Sequence, residues 1–191
     1  DIFISAGVPI HIKIQGNTFP VNQQVMDPAM IEKIATELMS TDQQRLFEAT
    51  MEMNLSFGVP GIGNFRVNLF RQRASISIVV RYILGNIPAL DTLSLPPVLS
   101  GLIMEKRGLI LIVGATGSGK STTIASMLDY RNANRSGHIL TIEDPIEFLF
   151  KHKKSIVNQR ELGMDTLGWE PALKNAMRQA PDCILIGEIR D

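Results

Sequence analysis

The amino-acid sequence predicts an α/β protein in which a small α+β unit precedes a parallel sheet with helices on both faces. Two observations predict this fold class. Apolar strands expected at residues 109–113, 138–142 and 183–186 are separated by helical stretches, and nearly continuous apolar strands are typical of parallel sheets. Residues 1–83 instead combine short strand patterns with helical spacing. We therefore expect units at 1–83 and 98–191, joined by a linker at 84–97.

The overall composition bears on which classes of binding partner to expect. The 191 residues include 19 Lys plus Arg and 19 Asp plus Glu, so the formal net charge is zero. A neutral chain gives no electrostatic reason to expect a nucleic acid or an anionic membrane as partner. No apolar run approaches the roughly 20 residues of a membrane span. Because the chain lacks a starting Met and enters a strand pattern at once, we expect it to be a fragment.

The elements of the first unit follow from periodicity and turn residues. The run from Gln15 to Asn17 predicts a tight turn between strands. From Pro28 onward the apolar positions have helical spacing, and Asp27 is the expected N-cap. The predicted strands lie at 2–4, 10–14, 18–21, 54–59, 65–70 and 75–82, and the predicted helices at 28–39 and 42–51.

The linker expected at 84–97 contains three prolines and little periodicity. Such a segment would let the two units move relative to one another, as hinge closure requires. A helix is expected at 98–106, directly before the first apolar strand of the second unit.

A glycine-rich run joins the strand expected at 109–113 to a helix that begins near Gly119. Glycines let the backbone N–H groups wrap a phosphate, and the helix N-terminus adds positive potential there. Lys120 can reach the β- and γ-phosphates of ATP, and the Ser121 hydroxyl can ligate Mg²⁺. The alternative, a glycine-rich turn with an exposed lysine, leaves the complete motif unexplained. The residues expected to bind nucleotide are Gly114, Ala115, Thr116, Gly117, Ser118, Gly119, Lys120, Ser121 and Thr122.

Acidic residues follow the other two apolar strands. Glu143, Asp144 and Glu147 leave the end of the second strand, where ligands bind in open α/β sheets. A carboxylate there can position or deprotonate the water that attacks the γ-phosphate, with a solvated acidic turn as the alternative. After the third strand, Glu188 has the place of a Walker B acid that holds Mg²⁺. Asp191 is a rival for that role, and a plain core strand with an exposed tip is the alternative.

Four arginines lie in or beside the predicted strands of the first unit: Arg66, Arg71, Arg73 and Arg81. Arginine suits bidentate binding of phosphate oxygens, and an arginine finger stabilises charge in the transition state of phosphoryl transfer. A solvated strand face is the alternative for each of them. Both interpretations stay open for Arg66 and Arg81, whereas the solvated face is favoured for Arg71 and Arg73.

Together these motifs resemble the type IV pilus retraction ATPases, the PilT/PilU group of the secretion ATPase superfamily. The resemblance extends through the first unit, at residues 65–68 and Arg81, and the runs 70–73 and 148–154 are most similar to the PilU branch. Pilus assembly and type II secretion ATPases resemble the stretch after residue 158 less well. The motifs that carry the resemblance are GATGSGKS at 114–121, TIEDPIEF at 141–148, NQRE at 158–161, DTLG at 165–168 and GEIRD at 187–191.

The resemblance implies a PAS-like first unit and a RecA-like P-loop ATPase unit that is truncated at its C-terminal side. It implies ATP and Mg²⁺ as ligands, Glu147 as the catalytic glutamate, Glu188 as the Walker B glutamate, and Arg66 and Arg81 as nucleotide contacts. It also implies a hexameric ring at the cytoplasmic face of the inner membrane. The implied partners are the pilus platform protein and a paralogous retraction ATPase.

Two classes of function are expected from these residues. A motor ATPase is favoured because the glycine-rich motif, Glu147 and Glu188 occur together, and a pure binding module needs no base. The alternative is a nucleotide-binding accessory subunit that acts through a partner motor. A nucleic-acid translocase is disfavoured by the zero net charge and by the lack of an aromatic-basic pattern. Because the family continues past the position of Asp191, activity is expected of the complete protein rather than of this piece.

Overall fold

The chain divides into two compact units, Asp1–Ile83 and Leu84–Asp191, in a computed structural model that describes residues 1–83 and 85–188. The first unit consists of six strands and two helices. Its strands are β1 (Ile2–Ile4), β2 (Pro9–Ile14), β3 (Asn17–Val25), β4 (Glu52–Val59), β5 (Gly63–Gln72) and β6 (Ser75–Ile83), and its helices are α1 (Pro28–Leu38) and α2 (Thr41–Thr50).

The six strands form one antiparallel sheet in the order β3-β2-β1-β6-β5-β4. Successive side chains of a strand point to opposite faces of its sheet. Val67 and Leu69 of β5 are fully buried and share a core with Ile31 and Ala35 of α1. Asn68, which lies between them on β5, therefore points to the other face of the sheet.

Both helices of the first unit begin at side-chain caps. The Asp27 carboxylate accepts the backbone N–H of Met30 at 2.8 Å, which confirms the predicted N-cap of α1. Helix α2 begins with a capping box between Ser40 and Gln43, in which each side chain accepts a backbone N–H from the other residue. Local sequence signals therefore define where both helices start.

Strand β3 runs further than the sequence predicts. The expected strand ends at residue 21, because the polar run after it breaks the apolar pattern, but β3 continues to Val25, which pairs with Pro9 of β2. Every residue of β3 is exposed, and β3 forms the edge of the sheet. Its length is therefore determined by pairing with β2 rather than by burial.

The second unit has a parallel sheet with helices on both faces, as predicted. On one face, Ile139 and Val157 of the sheet pack against Met127. On the other face, Ile142 packs against Ala172. The strand order is β8-β7-β9, with both outer strands parallel to the central one. The elements are a 3-10 helix (Leu90–Thr92), α3 (Val98–Met104), α4 (Lys120–Asn134), β7 (Gly137–Glu143), β8 (Ser155–Glu161), α5 (Trp169–Ala176) and β9 (Cys183–Ile186).

The prediction of a strand at residues 109–113 is wrong, because this segment has no regular structure. Leu109 and Val113 are 82% and 89% exposed, and Ile112 packs at the margin of the core. A strand exists only through ladder hydrogen bonds to a neighbour. Within residues 1–83 and 85–188, β9 pairs with β7 and the segment pairs with no strand. In the part of the chain that the structure describes, its apolar sequence therefore has no paired neighbour that would make it a strand.

Three elements of the second unit were not predicted: β8, α5 and the 3-10 helix at Leu90–Thr92, which lies in the expected linker. The second half of β8, residues 158–161, is entirely polar and hides the strand pattern of the first half. Helix α5 has only eight residues and contains Pro171, so its helical period is short. Neither α5 nor another helix within the described ranges is long and apolar enough to cross a membrane.

Candidate nucleotide-binding site

The glycine-rich loop, residues 114–119, leads directly into α4. Gly117 and Gly119 have positive φ values of 79° and 89°, a conformation that residues with a Cβ adopt at a cost. The Ser118 N–H donates to the carbonyl of Ala115 at 3.2 Å and closes a turn within the loop. Because Gly119 caps α4, the N–H groups of the first helical turn have no acceptor in the helix and point toward the loop. This arrangement can bind an anion.

Lys120 lies across the glycine-rich loop. Its Nζ donates to the carbonyl oxygens of Gly114 at 2.8 Å and Ala115 at 2.9 Å. Residues 114–119 and Ser121 are exposed, and Thr122 is half-buried. A loop with an ammonium group, exposed N–H groups and a hydroxyl at the start of a helix can bind the phosphates of a nucleotide.

A buried carboxylate lies at the end of the central strand. Glu143 ends β7 and is 7% exposed. Its Oε1 accepts the Thr141 hydroxyl at 2.6 Å and the Gln159 amide at 3.1 Å, and the carboxylate also accepts the backbone N–H of Glu147. Burial raises the pKa of Glu143, and these hydrogen bonds offset part of that rise. Glu143 therefore acts as a hydrogen-bond acceptor for Thr141, Gln159 and the backbone of Glu147.

The end of β9 packs directly against Glu143. The Gly187 N–H donates to the carbonyl of Ile142 at 2.8 Å, and a Cβ on Gly187 would lie 3.2 Å from Glu143 Cα. Glu188, the next residue, is half-buried. The strand predicted before this acid is confirmed as β9, and it brings Glu188 to the same edge of the sheet as Glu143. Asp191, the rival acid, lies outside the described residues.

The loop after β7, residues 144–150, carries the predicted catalytic residue Glu147, which is exposed. Side chains of β8 bind the backbone of this loop. The Ile146 N–H donates to Glu161 Oε2 at 3.0 Å, and the Phe150 N–H donates to Gln159 Oε1 at 2.9 Å. Sequence reasoning assigned no role to Gln159 or Glu161. The sequence signal for these two residues was the polar run 158–161, which we used only as one of the motifs that carry the family resemblance.

The four arginines in or beside the strands of the first unit differ in their contacts. Arg66 and Arg81 are directly opposite in the β5–β6 ladder and so lie on one face of the sheet. Arg81 Nε forms an ion pair with Asp1 Oδ1 at 2.9 Å, while its side chain remains 66% exposed. The Arg71 guanidinium lies over the Phe47 ring, 5.7 Å from its centroid, as a packing residue would. Arg73 lies in the turn between β5 and β6 with a positive φ of 46°.

The site offers few protein ligands to a metal ion. Among residues 1–83 and 85–188, no group of three His, Cys, Asp or Glu side chains is arranged to hold one. Mg²⁺ commonly takes one or two protein ligands and completes its shell with water and substrate phosphates. Ser121 beside the loop and Glu188 at the sheet edge are donors of the type that Mg²⁺ prefers, so the residues fit this mode of binding.

Known proteins match the chain along its length. The family described as Type II/IV secretion system protein matches residues 7–191. The chain is 48% identical to the type IV pilus ATPase PilU of Pseudomonas aeruginosa over 190 residues, covering all of this chain and 50% of that protein. It is 43% identical to PilT of the same organism, described as a type IV pilus retractation ATPase, covering all of this chain and 56% of PilT. The chain thus spans about half the length of the curated relatives it matches.

Solved structures agree with the sequence relatives. A crystal structure of the pilus retraction motor PilT with bound ADP superposes with a TM-score of 0.93 at 46% identity, covering all of this chain and 56% of that chain. The ATPase DotB of Legionella pneumophila superposes with a TM-score of 0.83 at 26% identity, covering all of this chain and 55% of that chain. These matches confirm the predicted α/β fold and the resemblance to the PilT/PilU group. The chain therefore belongs to the type II/IV secretion system protein family and, within it, is similar along its whole length to the pilus retraction ATPases.

Proposed function

We propose that this chain is the nucleotide-binding part of an ATP-hydrolysing motor that drives or assists retraction of type IV pili in twitching motility. The observation that carries the proposal is the glycine-rich loop with Lys120 at the start of α4. The relatives named as pilus ATPases support it, and so does a twitching motility protein of Neisseria gonorrhoeae that is 39% identical over 180 residues, 48% of that protein.

ATP binding would use the loop backbone and the side chains that follow it. The N–H groups of the loop and of the first turn of α4 would surround the β- and γ-phosphates. Lys120 would exchange the carbonyl oxygens of Gly114 and Ala115 for phosphate oxygens, which carry more negative charge. Ser121 and Glu188 would hold Mg²⁺, and the bound ion would offset the negative charge of the phosphates.

Glu147 is better suited than Glu143 to accept the proton of the attacking water. Glu147 is exposed and close enough to the sheet edge for its backbone to contact Glu143. The Glu143 carboxylate is buried and already accepts three hydrogen bonds. A base needs a free lone pair that faces the water. We therefore assign the base to Glu147 and a supporting role to Glu143.

The rest of the assembly is proposed from the family. The first unit would be PAS-like and the second RecA-like, with 84–97 as the linker between them. Arg66 and Arg81 would contact nucleotide of the same or a neighbouring subunit in a hexameric ring. The ring would act on the cytoplasmic side of the inner membrane, with the pilus platform protein as partner and a paralogous retraction ATPase as a second one.

Lys120→Ala in the complete protein tests the proposal. A charge-assisted contact contributes roughly 1.5–3 kcal/mol, so affinity for a fluorescent ATP analogue should fall at least about tenfold. Phosphate release should fall with it, and Lys174→Ala, at an exposed position of α5, should change neither. Unchanged binding by Lys120→Ala would refute the site. Binding of ATP by the wild type without phosphate release would instead indicate an accessory subunit.

A further inference from the structure

Three side chains on one face of the parallel sheet hold the loop at residues 144–150 through its backbone. Glu161 accepts the N–H of Ile146, Glu143 accepts that of Glu147, and Gln159 accepts that of Phe150. The acceptors share a face because Glu143 is opposite Glu161 in the β7–β8 ladder, and Thr141 is opposite Gln159. The loop position therefore depends on side chains of β7 and β8.

Gln159 differs from the two glutamates because it both donates and accepts. Its Nε2 donates to Glu143 Oε1 at 3.1 Å and to the carbonyl of Phe148 at 2.8 Å. Its Oε1 accepts the N–H of Phe150 at 2.9 Å. One amide thus joins the buried carboxylate to two points of the loop on the C-terminal side of Glu147. A carboxylate at position 159 could not donate either of the first two bonds while ionised.

We propose that Gln159 is a positioning residue for ATP hydrolysis, because it ties the loop that carries Glu147 to the end of β7. Without its side-chain amide, the carbonyl of Phe148 and the N–H of Phe150 lose their partners, and Glu143 loses one of its donors. The loop then relaxes, and Glu147 moves away from the attacking water. A displacement of about 1 Å at a reacting group can cost about 100-fold in rate. This inference rests on the proposed function, since it assigns Glu147 as the base.

The test uses Gln159→Leu and Gln159→Glu in the complete protein. Both variants should lower kcat for phosphate release by about 10- to 100-fold. The Kd for a non-hydrolysable ATP analogue should stay within about threefold, because the glycine-rich loop is untouched. Gln159→Glu keeps the size of the side chain, so a mere packing role predicts near wild-type turnover for it. Asn158→Leu is the matched control, because the Asn158 amide lies on the opposite face of β8 and contacts His138 Nε2 at 3.1 Å.

A double-mutant cycle separates positioning from general damage. If Gln159 acts through Glu147, then Gln159→Leu should change single-turnover hydrolysis by no more than about twofold in the Glu147→Gln background. Equal losses in both backgrounds would overturn the proposal, as would wild-type kcat in Gln159→Glu. Should Gln159→Leu fail to fold, Gln159→Glu supports the same comparison. A wild-type protein without phosphate release would refute the proposed function, whereas an active wild type with an active Gln159→Glu refutes only this inference.

Discussion

Replacing Gly187 by alanine would place a methyl group against the end of β7. The methyl carbon would lie 3.2 Å from Glu143 Cα, 3.3 Å from its Cγ and 3.4 Å from its Cβ. The backbone of Gly187 is not in the left-handed region, so the cost of this substitution is steric alone. Glu143 cannot easily move away, because β7 is the central strand and is paired on both sides.

The size of the effect follows from those distances. The contacts with Glu143 are tighter by a few tenths of an ångström than ordinary van der Waals contacts, and the nearest atom belongs to the backbone. Overpacking of this kind costs roughly 1–3 kcal/mol. Each kcal/mol corresponds to about 2–4 °C in melting temperature for a domain of 150–250 residues. Because Glu143 is held in the central strand, the clash would displace Gly187 and its neighbour Glu188 instead, so turnover should fall even where the protein remains folded.

Thermal melting and steady-state phosphate release of the complete Gly187→Ala protein measure both effects. The matched control is Gly101→Ala in α3, where an added Cβ meets no atom within 4 Å. Alanine is a better helix former than glycine by about 0.8–1.0 kcal/mol, so the control should melt at the same or a higher temperature. A Gly187→Ala protein that melts and turns over like the wild type would refute the reasoning about this contact.

Two further predictions concern the chemistry in the complete protein. Glu147→Gln should lower turnover by roughly 10²–10⁴-fold while ATP still binds, because it removes the base and keeps the shape. If phosphate release is instead normal in Glu147→Gln and lost in Glu143→Gln, the wrong carboxylate has been assigned. Arg66→Ala and Arg81→Ala should lower turnover strongly and ATP affinity only modestly, as measured by phosphate release and analogue binding. If the two arginines act across subunits, mixing either arginine variant with Glu147→Gln should restore part of the activity. Wild-type turnover in both alanine variants would show that Arg66 and Arg81 are only part of a solvated strand face.

The sequence by itself determined those features that depend on neighbouring residues. Asp27 predicted the N-cap of α1, and the run before Lys120 predicted where α4 begins, since both depend on local backbone geometry. The apolar runs that became β7 and β9 predicted two parallel strands; β7 is largely buried, whereas β9 alternates between half-buried and exposed residues. The motifs predicted the family, because their residue types at those spacings are specific.

Tertiary structure decided the features that depend on distant partners. The apolar segment at 109–113 is not a strand, because pairing requires a neighbour that its own sequence cannot supply. The sequence alone does not distinguish the acidic residues Glu143, Asp144 and Glu147. In the structure, Glu143 is buried and accepts three hydrogen bonds, whereas Glu147 is exposed. Gln159 lies 12 residues beyond Glu147 in the chain, and it reaches the same loop only because β8 pairs in register with β7. Burial and hydrogen bonding between such positions are set by strand pairing, which local sequence does not encode.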